Sequence, residues 1–133
     1  MVVKAVIDTS AVIEALDKGR GDLLKELVEG YEELLIPWVV VYEYTMGHRL
    51  LGRDPRARKR ALEELGSIVW MEQELLLKAQ ELDVELRRRG RPIPFSDVLV
   101  AATALAFEAE LVTLDEHFRE VEGLRLRLLE EGG

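Results

Sequence analysis

The chain has 133 residues, 48% of them hydrophobic, a formal net charge of −8 and no cysteine. This length suits one globular domain, so residues 1–133 are expected to form a single unit with its own core. The lack of cysteine excludes disulfides and thiolate metal sites, and the acidic balance argues against a basic surface that coats nucleic acid. No segment has the ~20 apolar residues of a membrane span or the apolar core of a signal peptide, so we expect no membrane contact and a cytoplasmic location.

The first third of the chain predicts a strand and two helices. Val2–Ile7 is a short apolar, β-branched run that is typical of a buried strand. A helix over Ala11–Leu16 follows the polar residues that end this run. Leucines at helical spacing then predict a second helix over Asp22–Glu29, which a glycine ends.

The middle of the chain repeats this alternation. Glu33–Ile36 predicts a second strand, and Pro37 suits the first position of a helix over about Trp38–Leu51. A further helix is expected over Asp54–Leu65, and a third strand over Ser67–Met71.

The last third predicts two longer helices and two strands. Glu72–Arg89 has the spacing of a long helix, and Ser96–Glu108 is apolar almost all round, which is typical of a helix at the centre of a domain. Glu110–Thr113 predicts a fourth strand, Asp115–Phe118 one helical turn, and Leu124–Leu128 a fifth strand. Strands that alternate with helices predict an α/β fold with a largely parallel sheet.

Two acidic residues follow strands of this predicted sheet. Asp8 ends the first strand, and Asp115 comes shortly after the fourth. Ligands of open parallel sheets bind outside the carboxyl ends of the strands, so these two carboxylates would face each other if the two strands are neighbours. Alternatively, each aspartate caps the helical segment that follows it.

Two further carboxylates lie on predicted helices. Glu43 shares a helix face with Val39 and Val40, and a carboxylate on an apolar face is costly unless a cation or a hydrogen-bond partner meets it. Alternatively, Glu43 lies at the edge of that face or pairs with an arginine. Asp97 lies in the first turn of the apolar helix, where the helix dipole alone would favour it. The start of that helix is also expected to open near the carboxyl ends of the strands.

A divalent metal ion would account for all four acids. Carboxylates that converge without a cation repel one another, and the repulsion pushes one pKa upward. Oxygen ligands without His or Cys favour magnesium or manganese over zinc. We therefore expect Mg²⁺ or Mn²⁺ as the cofactor. Its predicted ligands are Asp8, Glu43, Asp97 and Asp115.

These acids belong to four segments that carry a family resemblance. In chain order the segments are Val-Ile-Asp8-Thr-Ser, Val-Val-Tyr-Glu43, Ser-Asp97-Val-Leu-Val-Ala-Ala and Leu-Val-Thr113-Leu-Asp115-Glu-His-Phe118. Together they resemble the PIN domain and, more narrowly, the VapC toxins of toxin–antitoxin pairs, and the resemblance covers essentially the whole chain. It implies a PIN-like three-layer α/β sandwich, in which helices flank a parallel five-stranded sheet of order 3-2-1-4-5.

The resemblance also implies an activity, which is metal-dependent hydrolysis of RNA. Such proteins use one acidic pocket, and the residues that match it are Asp8, Glu43, Asp97 and Asp115. Ser10 and Thr113 match polar residues that orient the carboxylates or water. The expected products carry a 5′-phosphate and a 3′-hydroxyl, and no side chain is expected to act as a nucleophile.

The partners that the resemblance implies are an RNA substrate, a cognate antitoxin protein and a second copy of the chain in a homodimer. The residues that could bind RNA phosphates beside the pocket are Arg87, Arg88, Arg89 and Arg91. Alternatively, these arginines form a solvated helix end. His48 and His117 could assist catalysis, but each is expected to be a surface helix residue. Trp70 could lie in the core or at an interface, and the core is the preferred prediction.

Three other functions fit parts of the pattern. A catalytically silent PIN domain that binds RNA or protein would keep the same acids. A structure-specific DNA nuclease would share the fold, but such proteins usually carry additional helical modules. A phospho-receiver domain needs an acidic pair after the first strand, and here Thr9 follows Asp8, which disfavours that function.

Overall fold

The computed structural model describes residues 3–132. Within this range the strands are β1 (Lys4–Ile7), β2 (Glu33–Pro37), β3 (Ser67–Val69), β4 (Glu110–Thr113) and β5 (Leu126–Leu128). The helices are α1 (Thr9–Leu16), α2 (Gly21–Gly30), α3 (Trp38–Leu50), α4 (Pro55–Leu65), α5 (Gln73–Arg88), α6 (Phe95–Ala106) and a short 3₁₀ helix (Glu116–Glu120). Each element predicted from the sequence is present. Val2, the predicted start of the first strand, lies outside the described residues.

The strands form one parallel sheet in the order β3-β2-β1-β4-β5. This finding confirms the α/β fold and the strand order that the resemblance implies. β1 lies in the middle, and its Val6 pairs with Leu35 of β2 on one side and Leu111 of β4 on the other. From β1 the chain therefore adds β2 and β3 on one side of the sheet, and then β4 and β5 on the other side. The carboxyl ends of β1 and β4 meet at the point where the strand order reverses, which is where such sheets bind ligands.

The core forms around β1 and α6. Ala5, Val6 and Ile7 are at most 1% exposed, and α6 is buried continuously over Val98–Ala104 while it contacts β1, β2 and β4. Burial on all sides explains why this part of the sequence is apolar without a polar stripe. Within the described range, no helix combines the length and the hydropathy that a membrane crossing would need.

Trp70 lies on the surface, with 61% of its area exposed. The prediction that this residue belongs to the core is therefore wrong. β3 is an edge strand that ends at Val69, so the chain leaves the sheet just before the indole.

A polar cluster fastens α1, α3 and α4 together. The carboxylate of Asp17, just after α1, accepts hydrogen bonds from Tyr44 Oη at 2.6 Å and from His48 Nε2 at 2.9 Å. Arg58 of α4 donates to Tyr44 Oη at 2.7 Å. Arg53 Nη1 lies 3.2 Å from His48 Nδ1. Because a guanidinium can only donate, Nδ1 is the acceptor and Nε2 carries the proton of a neutral ring.

His48 is thus a buried residue, with 6% of its area exposed, and the prediction of a surface position is wrong. Tyr44 and His48 lie four residues apart, which puts them on the same face of α3, and that face is turned toward α1. The burial of the imidazole is tolerated because Asp17 and Arg53 satisfy its two nitrogens.

The Tyr44 cluster predicts a loss of stability at high pH. Burial and the bond to Asp17 raise the pKa of Tyr44 to about 12, from 10.0 in an unfolded chain. The folded protein therefore holds this phenolic proton more tightly. The contribution of Tyr44 to the free energy of unfolding is unchanged below pH ~10, and it falls as the pH rises toward 12. With about 1.4 kcal/mol for each pH unit, the loss should reach about 2 kcal/mol. Urea unfolding between pH 9 and 12 should show this loss, and Tyr44→Phe should reduce it. The control Tyr42→Phe, at an exposed position, should retain it.

Gly66 is expected to be essential for the close approach of the α4–β3 connection to β2. A Cβ atom at this position would lie 2.4 Å from the carbonyl oxygen of Leu34, which belongs to the backbone and cannot rotate away. Gly66→Ala should therefore lower the free energy of unfolding by about 1–3 kcal/mol, as overpacking typically does. Gly47→Ala within α3 meets no atom within 4 Å, and it should instead raise stability by up to about 1 kcal/mol through helix propensity. Equal effects of the two substitutions in urea unfolding would contradict the prediction.

Candidate metal centre

Asp8 lies at the carboxyl end of β1 and is 5% exposed. Its backbone N–H donates to the carbonyl of Val112 in β4 at 3.0 Å, which extends the pairing of the two strands. Its Oδ1 accepts the N–H of Thr9 at 2.8 Å, so Asp8 is also the N-cap residue of α1. The carboxylate thus has the capping role that the sequence left open, in addition to its place at the strand end.

Two hydroxyl groups hold the Asp8 carboxylate. Thr113 Oγ1, which is fully buried, donates to Asp8 Oδ2 at 2.7 Å, and Ser10 Oγ lies 3.3 Å from the same oxygen. Thr113 Oγ1 also accepts the N–H of Asp115 at 3.1 Å, and Ser10 Oγ accepts the N–H of Leu114 at 3.1 Å. These bonds tie the ends of β1 and β4 together. They also fix the backbone from which Asp115 projects.

The imidazole ring of His117 contacts both Asp97 and Asp115. His117 Nε2 lies 2.5 Å from Asp97 Oδ2, and His117 Nδ1 lies 2.8 Å from Asp115 Oδ1. Asp97 comes from the first turn of α6, and the other two residues come from the segment after β4. Two parts of the chain that lie twenty residues apart in the sequence therefore contribute to one cluster.

Burial and neighbouring charges raise the pKa values of two acids in the cluster. Burial raises the pKa of Asp8, its hydrogen bonds partly offset this effect, and the charge of Asp115 raises the pKa further. Burial likewise raises the pKa of Asp97, the bond to His117 opposes this, and the charges of Asp8 and Asp115 add to the increase. The charge of Asp115 thus acts on both Asp8 and Asp97, as expected from the contacts of Thr113 and His117 that bring the three acids to one place.

Glu43 lies at the rim of this cluster. Its side chain is exposed at the edge of the apolar face of α3, as one of the sequence-based alternatives proposed. Its Oε1 accepts a hydrogen bond from Thr9 Oγ1 at 2.9 Å, and Thr9 follows Asp8 directly. Among residues 3–132, no hydrogen bond joins Glu43 to the other three acids themselves, so its link to them runs through Thr9.

His117 is the residue at this site that the predicted ligand set does not contain. Its ring contacts Asp97 and Asp115 at the same time, which fits the alternative of an assisting residue better than the preferred prediction of an ordinary surface position. The Asp115 side chain makes no capping bond to the 3₁₀ helix that follows it, so the structure contradicts the alternative that this aspartate is a helix cap. The one signal in the sequence was the spacing of two residues between an acid and a histidine after a strand.

The cluster has donors that suit a divalent cation. Asp97, Asp115 and His117 each offer a ligand atom, and these atoms all lie within 4.8 Å of one another. The raised pKa values of Asp8 and Asp97 indicate that negative charge at this position lacks full compensation by the protein. Carboxylate oxygens together with an imidazole nitrogen fit a divalent ion such as Mg²⁺, Mn²⁺ or another first-row metal.

The predicted RNA-binding arginines lie at the end of α5 and in the turn after it. Arg87 pairs with Asp83, and Arg89 Nη1 lies 3.4 Å from Glu122. Arg91 reaches Glu120, at the end of the 3₁₀ helix that carries His117. The ion pairs of Arg89 and Arg91 connect the arginine group to the segment next to the cluster, whereas that of Arg87 stays within α5. The residues of the group are Arg87, Arg88, Arg89 and Arg91.

The comparison with known families agrees with this geometry. The model of the PIN domain family matches residues 5–124. This chain therefore belongs to the PIN domain family.

Individual relatives and solved structures extend the comparison. A VapC ribonuclease of Pyrococcus furiosus is 31% identical over 77 residues, which cover 58% of this chain and 52%, about half, of that relative. The structure of VapBC2 from Rickettsia felis, bound to a promoter DNA fragment, superposes with a TM-score of 0.80 at 21% identity, over 96% of this chain and 99% of that one. VapBC-1 from nontypeable Haemophilus influenzae gives a TM-score of 0.79 at 22% identity, over 94% and 97% of the two chains. At this identity the two structures demonstrate a shared fold.

Substitution of Asp97 by asparagine is expected to stabilise the metal-free protein. The raised pKa of Asp97 means that its ionised carboxylate is less favourable in the folded state than in the unfolded chain, so at pH 7 the charge reduces stability. Asparagine has the same shape and no charge. In a buffer with a chelator, Asp97→Asn should therefore raise the Tm by a few degrees. The control Glu81→Gln, at an exposed position of α5, should change stability by less than about 0.5 kcal/mol. A lower Tm for Asp97→Asn would contradict the prediction.

Proposed function

We propose that this PIN-domain protein is a metal-dependent endoribonuclease that hydrolyses RNA phosphodiester bonds. One observation carries the proposal: beside the carboxyl ends of β1 and β4, His117 contacts both Asp97 and Asp115, and Thr113 bonds to both the Asp8 carboxylate and the backbone of Asp115. The charge of Asp115 accordingly raises the pKa of Asp8 and of Asp97. The protein cannot shield the Asp8 and Asp97 carboxylates from water beside the exposed Asp115 without a cost in stability. A binding site for Mg²⁺ or Mn²⁺ would explain why the protein tolerates this cost.

Each acidic residue has a defined part in this proposal. The ligands of the ion would be Asp8, Asp97 and Asp115, and Glu43 would complete the acidic pocket from the rim formed by α3. When bound, such an ion activates water and stabilises charge on the scissile phosphate. Thr113 and Ser10 keep the Asp8 carboxylate in one orientation through their hydroxyl groups, which is the supporting task predicted for them.

The substrate would approach along the arginine group at the end of α5. Arg89 pairs with Glu122 and Arg91 pairs with Glu120, and these ion pairs hold the two arginines beside the segment that follows Asp115. Contacts of arginine with phosphates supply affinity that falls with salt but little choice of sequence. This group would therefore bind the RNA backbone, while other surfaces select the target.

We further propose that the protein is the toxin of a toxin–antitoxin pair and that it forms a homodimer. The support is the similarity to a VapC ribonuclease and to VapBC structures. The surface also carries large apolar side chains of the kind found at protein interfaces. Those at least half exposed include Val28, Tyr42, Leu50, Leu51, Trp70, Leu77 and Phe95.

The proposal predicts that Asp8→Asn abolishes cleavage of single-stranded RNA in Mg²⁺ or Mn²⁺. Asparagine still caps α1, so the fold should persist. Loss of a ligand should slow cleavage by at least about 100-fold, the upper end of the roughly 10–100-fold loss that is typical of outer-shell partners. The control Asp22→Asn removes an exposed aspartate of α2 and should cleave at the rate of the unmodified protein. The readout is the initial rate on labelled RNA and on DNA of the same sequence.

Three outcomes would count against the proposal. Equal rates for Asp8→Asn and the unmodified protein would point to a contaminating nuclease. Faster cleavage of DNA than of RNA would favour the DNA nuclease. Binding of RNA without any cleavage, in either metal, would favour the catalytically silent PIN domain.

A further inference from the structure

The imidazole of His117 lies between two carboxylates of the proposed metal centre, and we infer that it is itself a ligand of the ion, through Nδ1. This inference rests on the proposed function, because it adds one donor to the same centre. It changes the ligand set from oxygen alone to oxygen and nitrogen. That difference determines which divalent ions the centre prefers.

The position of the His117 ring is set by the core of the protein. Its neighbour Phe118 is fully buried, and the two rings lie 5.0 Å apart between centroids at a tilt of 35°. The phenyl ring therefore anchors the 3₁₀ helix, while about a third of the His117 side chain stays exposed to solvent. A side chain on a freely moving loop would have no comparable support.

The spacing of the donors suits a single ion. The candidate ligand atoms of Asp97, Asp115 and His117 all lie within 4.8 Å of one another. Bonds from a first-row metal to nitrogen or carboxylate oxygen are about 2.0–2.2 Å long, so two ligands of one ion are at most about 4.4 Å apart. The observed limit of 4.8 Å exceeds this span by only about 0.4 Å.

The two ring nitrogens face different carboxylates, which defines their roles. Nε2 is hydrogen-bonded to Asp97 Oδ2 at 2.5 Å, so it is the nitrogen that carries the ring proton. Nδ1 lies 2.8 Å from Asp115 Oδ1 without the geometry of a hydrogen bond, so its lone pair is available to an ion that Asp115 also binds. A histidine that donates one N–H to a carboxylate while its other nitrogen binds metal is a recurrent arrangement, because the hydrogen bond fixes the ring and its tautomer.

An imidazole ligand changes the relative affinity for different ions. Oxygen ligands suit Mg²⁺ and Mn²⁺ alike, whereas nitrogen adds affinity for Mn²⁺ and still more for the later first-row metals. We therefore expect this protein to bind Mn²⁺ and Co²⁺ more tightly than Mg²⁺, with His117 responsible for much of the difference.

The chain allows a direct spectroscopic test, because it contains only two histidines. The second, His48, has both nitrogens engaged by Asp17 and Arg53. Pulsed EPR of Mn²⁺ bound to the full-length protein, without an affinity tag, should therefore detect a coupled imidazole nitrogen that belongs to His117. His117→Gln should abolish this coupling. Because the coupling is measured in the unmodified protein, the test does not depend on the folding of the variant.

Calorimetric titration with each metal gives a second, independent readout. His117→Gln should weaken Mn²⁺ binding by about 10–100-fold, as the loss of a closely associated group at a metal site typically does, and should change Mg²⁺ binding much less. Asp22→Asn should leave both affinities unchanged. Equal losses for Mn²⁺ and Mg²⁺ in His117→Gln would mean that the histidine only positions the carboxylates, and this would overturn the inference.

The outcomes separate this inference from the proposed function. If Mn²⁺ binds and Asp8→Asn abolishes the binding, but no imidazole nitrogen is coupled, the metal centre stands and His117 is not a ligand. If the unmodified protein binds neither Mn²⁺ nor Mg²⁺ at a site that Asp8→Asn removes, the metal centre itself fails, and the role of His117 fails with it.

Discussion

The parallel pairing of β1 with β4 is the contact on which the candidate metal centre depends. The pairing sets Ile7 opposite Val112, so Asp8 and Thr113 follow at the same level and are joined by a hydrogen bond of 2.7 Å. A shift of one residue in this register would turn one of the two side chains to the other face of the sheet. Because β1 is buried on both faces, α6 and the neighbouring strands hold this register, and the distances between the acids depend on it.

Much of the architecture was predictable from local patterns. The apolar, β-branched run before Asp8 and the almost wholly apolar segment around Val98 reflect burial on several sides, and burial leaves a signature in the sequence. The positions of acids at strand ends and in a first helical turn were readable for the same reason. The strand order was not readable in this way, since hydropathy does not record which strands are neighbours. It followed from the family resemblance.

The errors concern side chains whose surroundings come from distant parts of the chain. The burial of His48 is tolerated because Asp17 and Arg53 satisfy its two nitrogens. The sequence around His48 does not indicate that Asp17 will lie beside it. His117 faces an acid twenty residues earlier in the chain. Trp70 is exposed because β3 ends one residue before it, and strand ends are the least predictable feature of a sheet. Tertiary contacts therefore decided the positions of the two histidines, and a strand end decided that of the tryptophan.

Asp8 serves the helix as well as the cluster, and this double use affects how relatives should be compared. A descendant that had lost the proposed catalytic role would still benefit from a short polar residue at position 8, because the start of α1 needs an acceptor for the N–H of Thr9. Asp115 has no such second task, since its side chain caps nothing. Across an alignment, an acid at position 115 would therefore be the better indicator of a working enzyme, and an acid at position 8 the poorer one.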